Sequence, residues 1–297
     1  MPSITTPASS YVGRFAPSPT GQLHLGSLLA AVASYVDARA NLGKWLLRIE
    51  DLDPPREEAG ASEHFITALR AHGLIWDAPV LFQSKRHQAY QEAIENLLNS
   101  QQAFYCQCSR KILSTNHGIH REPCNPENKT LENAAIRLRV PDTQWCYHDR
   151  IKGLYKEHAK RDVGDFVLKR RDNLFAYQLA VVVDDAYQGI THVVRGEDLL
   201  ISTPRQQYLQ QCLGFASPEY AHIPILTGEN GQKLSKQNFA KPIALNTPEK
   251  NLLRTLSLLG QPKPPTALQL NCEAILQFAA AHWNISKISD NLPSLPS

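Results

Sequence analysis

Two short strings carry residue types suited to a triphosphate. In "RFAPSPTGQLHLGSLLAA", His24, Leu25, Gly26 and Ser27 stand where a Pro/Gly-punctuated loop gives way to apolar residues at helical spacing. A helix start presents backbone N–H groups and a partial positive charge to an anion. Gly26 removes a side chain, so a nucleotide ring can lie close to the backbone. His24 can donate a hydrogen bond to phosphate oxygens as charge shifts during attack on the α-phosphorus. A simple capping turn explains the same spacing equally well. In "GENGQKLSKQ", Lys233 and Lys236 bracket Ser235 within a Gly-rich segment. Two lysines three apart can close on a triphosphate and neutralise the leaving pyrophosphate. A solvated basic loop is the ordinary alternative.

A third cluster suits a metal. Cys106, one residue, Cys108, eleven residues, His120, three residues and Cys124 fall within 19 positions. Three thiolates and an imidazole form a set that tetrahedral zinc prefers. Four protein ligands leave no open position for water, so the ion would be structural and would fold an insertion with little core of its own. His117 competes with His120 as the fourth ligand, and free buried cysteines are the alternative. The remaining Cys146, Cys212 and Cys272 are expected as buried apolar residues.

The elements that position these groups follow from periodicity. Residues 11–15 are expected as a strand, a helix starts at Leu25, and "KWLLRIE" reads as a buried strand ending at Glu50. Helices are expected over 57–72, with Gly73 as the stop, and over 84–99. Strand-like runs recur at "DFVLKR", "FAYQLAVVVDD" and "THVVRG". A Pro-led helix follows up to Gly214, and helical segments lie around 248–259 and 267–282. Alternating strands and helices predict an α/β nucleotide-binding fold with a parallel sheet. The boundaries expected are a disordered tail at 1–10, a first catalytic half at 11–103, an inserted subdomain at 104–165, a second half at 166–230, and a lysine-loop and helical region at 231–297.

Bulk composition narrows the class. With 297 residues, 42% hydrophobic and 20% charged, the chain is globular rather than disordered. No apolar run reaches the ~20 residues a bilayer requires. The start "MPSITTPASS" has neither a basic nor an apolar segment of a signal peptide, so a cytoplasmic protein is expected. A net charge of +3 says little about nucleic acid by itself.

The His-x-Gly string and the Lys-x-Ser-Lys string, in this order and flanking a sheet, resemble the His-Ile-Gly-His and Lys-Met-Ser-Lys-Ser signatures of class I aminoacyl-tRNA synthetases. The longer strings "GRFAPSPTGQLHLGS", "LLRIEDLDPPR" and "VVRGEDLL" are similar to the glutamyl branch, over residues from about 11 to 236. Leu234 and Gln237 depart from the second signature, while both lysines and Ser235 are kept. The resemblance implies an α/β, Rossmann-like class I catalytic domain, interrupted by a small zinc-binding insertion and followed by a short, mainly helical stem-contact region. It implies glutamate activation with Mg-ATP. His24, Lys233 and Lys236 would act on the phosphates, and Gly26, Ser27 and Ser235 would bind ATP.

Glutamate presents an ammonium and two carboxylates, so its pocket needs cations and an anion. The resemblance implies that Arg14, Phe15, Ala16, Pro17, Ser18, Glu50, Tyr177 and Arg195 line it. Arg14 and Arg195 are the cations, valued for a fork that grips a carboxylate bidentately. The ordinary alternatives pair Arg195 with Glu197 or Asp198, and Glu50 with Arg48. In the branch, the cysteine cluster often holds one Zn2+ in an insertion that lies against the nucleic acid. Short relatives carry tyrosine at the position matching His120, and histidine is the better zinc ligand.

Sixty-one residues follow Lys236, too few for anticodon-holding helical domains. The chain therefore resembles the short paralogues of the branch, which activate glutamate without tRNA and transfer it to queuosine at the wobble position of tRNA(Asp). A monomer is expected. A truncated enzyme charging tRNA(Glu), an inactive tRNA-binding relative and a nucleotidylyltransferase are the alternatives.

Overall fold

The apolar run that follows Lys44 becomes the middle of a parallel sheet. β2 (Lys44–Ile49) is buried from Trp45 to Ile49, so both of its faces are covered, as in sheets flanked by helices. In the computed structural model, which describes residues 11–114, 117–120, 133–226, 242–265 and 271–290, β2 pairs in parallel with β1 (Val12–Phe15) and β3 (Leu81–Phe82). Between them run α1 (Leu25–Ala40) and α2 (Ala61–Ala71). The chain continues through α3 (His87–Asn99), β4 (Ala103–Cys106), α4 (Arg110–Ser114) and β5 (Ala135–Leu138). The hairpin β6 (Gln144–Asp149) and β7 (Gly153–His158) precedes β8 (Phe166–Lys169) and α5 (Tyr177–Tyr187). Then come β9 (His192–Gly196), α6 (Thr203–Leu213), β10 (Glu219–Ile223), α7 (Pro248–Leu258) and α8 (Cys272–Ala281).

A second sheet has the order β7-β6-β10-β9, with β10 parallel to both β6 and β9. Thr191, just before β9, donates its N–H to the Val12 carbonyl at 2.9 Å, which sets β9 beside β1 and brings the two parallel halves edge to edge. Close approach is visible at Gly43, where a Cβ would stand 2.5 Å from the Tyr11 carbonyl oxygen. A third, antiparallel sheet runs β4-β5-β8. The stretch 104–165 thus supplies strands to two sheets, since β6 and β7 extend the parallel one. Among the described residues no helix is long and apolar enough to cross a membrane.

Four expectations need correction. The run "FAYQLAVVVDD" is not a strand: its core is helix α5. Leu179 through Asp185 are all buried there, between the core helices α3 and α6, and a helix covered on every side shows no amphipathic period. The helix expected over 57–72 starts only at Ala61, because Pro54–Arg56 forms a 3-10 turn and Gly60 at φ 78° breaks the chain before it. The helix expected over 84–99 starts at His87, after a second 3-10 turn at Gln83–Lys85. Finally, Cys146 is exposed, and Cys212 and Cys272 are half-buried rather than core. Cys146 sits at an outward position of β6, whose side chains alternate between faces.

Candidate active site

The C-terminal ends of β1, β2 and β9, with the start of α1 and α5, enclose a cavity of about 630 Å³. Arg14, Phe15, Ala16, Pro17, Ser18, Glu50, Tyr177 and Arg195 line it, and so do His24, Gly26 and Ser27. The structure therefore brings the two sets of predicted residues into one space. Lys233, Ser235 and Lys236 lie outside the described residues. The described positions nearest them are anchored here: Leu226 lines the cavity, and Pro242 forms a β-bridge to His24.

One end of the cavity is the start of α1. His24 caps it, with Nδ1 accepting from the Ser27 N–H at 3.2 Å and Nε2 lying 3.1 Å from Ser27 Oγ. An accepting Nδ1 places the ring proton on Nε2, which is the donor form. The residue that caps the helix thus also lines the cavity.

The other end is a lattice of buried charges. Arg14 and Arg195 are each 4% exposed and Glu50 is 9% exposed. Arg14 Nε meets Asp185 Oδ1 at 3.4 Å, and Arg48 Nη1 meets the same oxygen at 2.8 Å. Arg48 Nη2 also lies 3.4 Å from Glu50 Oε1, so the expected ion pair exists while Glu50 still faces the cavity. Burial pushes the Glu50 carboxyl up, against the pull of Arg48 and Arg14. Burial alone would raise Asp185 too, but Arg48 and Arg14 hold it below the usual carboxylate range. Arg195 donates Nε–H to His222 Nε2 at 3.0 Å, Nη2–H to Thr203 Oγ1 at 2.9 Å and Nη1–H to the Tyr177 hydroxyl at 3.4 Å. Arg48 was expected only as the ordinary ion-pair partner of Glu50, and Asp185 and His222 were missed in the sequence. Asp185 sat in the misread strand, and no local spacing ties His222 to the site.

The cysteine cluster also assembles as far as it is described. The ligand atoms of Cys106, Cys108 and His120 lie within 4.8 Å of one another. Sulfurs on one tetrahedral zinc stand about 3.8 Å apart, given ~2.3 Å bonds, so only a small contraction is required. His120 Nδ1 is 2.9 Å from Asp165 Oδ2, the support that a metal-bound imidazole usually has. Arg137 donates Nε–H to Cys106 Sγ at 3.3 Å. Gly164 at φ 64° permits this packing, because a Cβ there would sit 2.5 Å from the His120 carbonyl oxygen. His117 is exposed and outside the group, and Cys124 lies outside the described residues. The donor chemistry fits a structural metal ion.

Comparison with known proteins agrees with this geometry. The family described as tRNA synthetases class I (E and Q), catalytic domain, matches residues 11–264. The glutamyl-Q tRNA(Asp) synthetase of Pseudomonas fluorescens is 50% identical over 286 residues, covering 96% of each chain. That of Pseudomonas aeruginosa is 50% identical over 280 residues, 94% of this chain and 96% of the other. Among solved structures, a glutamate tRNA ligase from Elizabethkingia meningosepticum in complex with its amino acid superposes with a TM-score of 0.79 at 26% identity, over 97% of this chain and 67% of that one. The chain belongs to the class I tRNA synthetases for E and Q, and within them to the glutamyl-Q tRNA(Asp) synthetase family.

Proposed function

We propose that this cavity activates glutamate with ATP and that the enzyme then passes glutamate to queuosine at the wobble position of tRNA(Asp). The single observation behind it is the joining, in one 630 Å³ cavity, of a helix start suited to phosphate with two buried arginines and a buried glutamate. That charge pattern complements one ammonium and two carboxylates.

In the first step the glutamate α-carboxylate attacks the α-phosphorus of Mg-ATP. The bond to the bridging oxygen breaks, and pyrophosphate leaves with its electron pair. Glu50 faces the substrate ammonium, and Arg14 and Arg195 face its carboxylates. His24, through Nε2–H, and Lys233 and Lys236 stabilise charge on the phosphates, with Gly26, Ser27 and Ser235 at the nucleotide. In the second step a hydroxyl of the queuosine cyclopentene-diol attacks the mixed anhydride. AMP leaves, and the adenylate phosphate takes the proton. Cys106, Cys108, His120 and Cys124 hold one Zn2+, which stiffens the strands beneath it and takes no part in the chemistry. The protein acts in the cytoplasm as a monomer.

ATP–pyrophosphate exchange without tRNA tests the first step. Exchange is expected with glutamate and not with aspartate or glutamine, and absence of glutamate-dependent exchange would remove the reading. One zinc per chain, lost in Cys106→Ser with Cys108→Ser, is the expected metal analysis.

A further inference from the structure

His222 and Asp149 are both wholly buried, 0% exposed, directly behind Arg195. Neither lines the cavity. Asp149 accepts four N–H groups: His222 Nδ1 at 2.5 Å, the His222 backbone at 3.1 Å, Ile151 at 3.0 Å and Lys152 at 2.9 Å. Four donors around one carboxylate keep it ionised in spite of burial. The anion fixes the tautomer of the imidazole, with the proton on Nδ1 and the lone pair on Nε2. That lone pair meets Arg195 Nε–H at 3.0 Å. Burial also pushes the His222 imidazole toward its neutral form, which an acceptor requires.

The consequence lies in which edge of the guanidinium is left for a ligand. Nε is taken by His222, and Nη2 by Thr203 Oγ1 at 2.9 Å and the Leu199 carbonyl at 3.4 Å. Nη1 keeps the cavity side, beside the Tyr177 hydroxyl at 3.4 Å. Each edge that could grip a carboxylate with two parallel bonds, Nε with Nη2 or Nη1 with Nη2, therefore has an N–H already bound by the protein. A phenol that accepts from Nη1 has its own proton to give away.

We propose that His222, oriented by Asp149, is a positioning residue that turns the Nη1 edge of Arg195 toward the substrate, so that a glutamate carboxylate is held by one Arg195 N–H together with the Tyr177 O–H. This rests on the glutamate reading above. It replaces the bidentate fork that residue type alone suggests, and it makes Tyr177 the second half of the carboxylate clamp.

Two near-isosteric changes separate positioning from mere tying of β6 to β10. His222→Asn keeps an amide near Nδ1, so it keeps the Asp149 bond and loses the acceptor for Arg195. His222→Gln places its carbonyl oxygen near Nε2, so it keeps the acceptor. In glutamate-dependent pyrophosphate exchange, His222→Asn should raise the glutamate KM about tenfold, the scale of one hydrogen bond to a charged group, while His222→Gln stays within about threefold. In both, the ATP KM should stay close to that of the unmodified protein. Equal glutamate KM in all three proteins, the reverse order of the two variants, or a joint rise of both KM values would overturn the inference. Absence of exchange in the unmodified protein would overturn the glutamate reading, and this inference with it. Exchange there that ignores both substitutions overturns this inference alone.

Discussion

The two buried arginines that line the cavity are secured in opposite ways. Arg14 is held by a carboxylate, Asp185, which it shares with Arg48. Arg195 is held by neutral groups, namely His222, Thr203, Tyr177 and the Leu199 carbonyl. The acid behind it, Asp149, acts through the imidazole. A buried charge needs a partner, so Arg14 already has part of its compensation inside the protein while Arg195 gains more from a ligand anion. One arginine belongs as much to the scaffold as to the cavity, and under the proposed function the other is the one set for substrate.

The largest effect should therefore come from Arg195. Arg195→Leu is expected to lower kcat/KM for glutamate about a hundredfold, as loss of a hydrogen-bonded charge contact costs roughly 2–3 kcal/mol. Arg14→Leu should cost about tenfold, because Asp185 retains Arg48. The opposite order in steady-state exchange would break the comparison.

A smaller, graded effect concerns Glu50. Its carboxyl is pushed up by burial, and only the ionised form faces an ammonium. The glutamate KM should rise as pH falls through that elevated pKa, by at most about tenfold per pH unit for one proton. A KM flat from neutral to acidic pH would take Glu50 out of ammonium binding. The smallest effect is on stability. Burial lowers His72, His192 and His222, so the folded state disfavours their protonation. Their contribution is present above the ordinary histidine pKa and is lost as pH falls through the lowered values. The melting temperature should thus decline on acidification below about pH 6.5, more gently in His192→Gln, and a melting temperature constant over that range would contradict it.

Much of the lining was legible in short strings, because it lies on single strand ends and one helix start. Arg14 to Ser18, His24 to Ser27, Glu50 and Arg195 each sit at the end or the start of an element whose period is plain. What holds the lining was not. Asp149 and His222 are 73 positions apart, and Arg14 and Asp185 are 171 apart. They meet only because strands distant in sequence run side by side, and because a uniformly apolar stretch folds as α5. Cys106, Cys108 and His120 were readable from donor type, whereas the Asp165 and Arg137 supports come from other strands and turns.

The most direct measurement is transfer of labelled glutamate, with ATP, to purified tRNA(Asp) bearing queuosine, to the same tRNA lacking it, and to tRNA(Glu). The account predicts that only the queuosine-bearing tRNA(Asp) accepts glutamate. Glutamate accepted by tRNA(Glu), with queuosine-bearing tRNA(Asp) left uncharged, would contradict it.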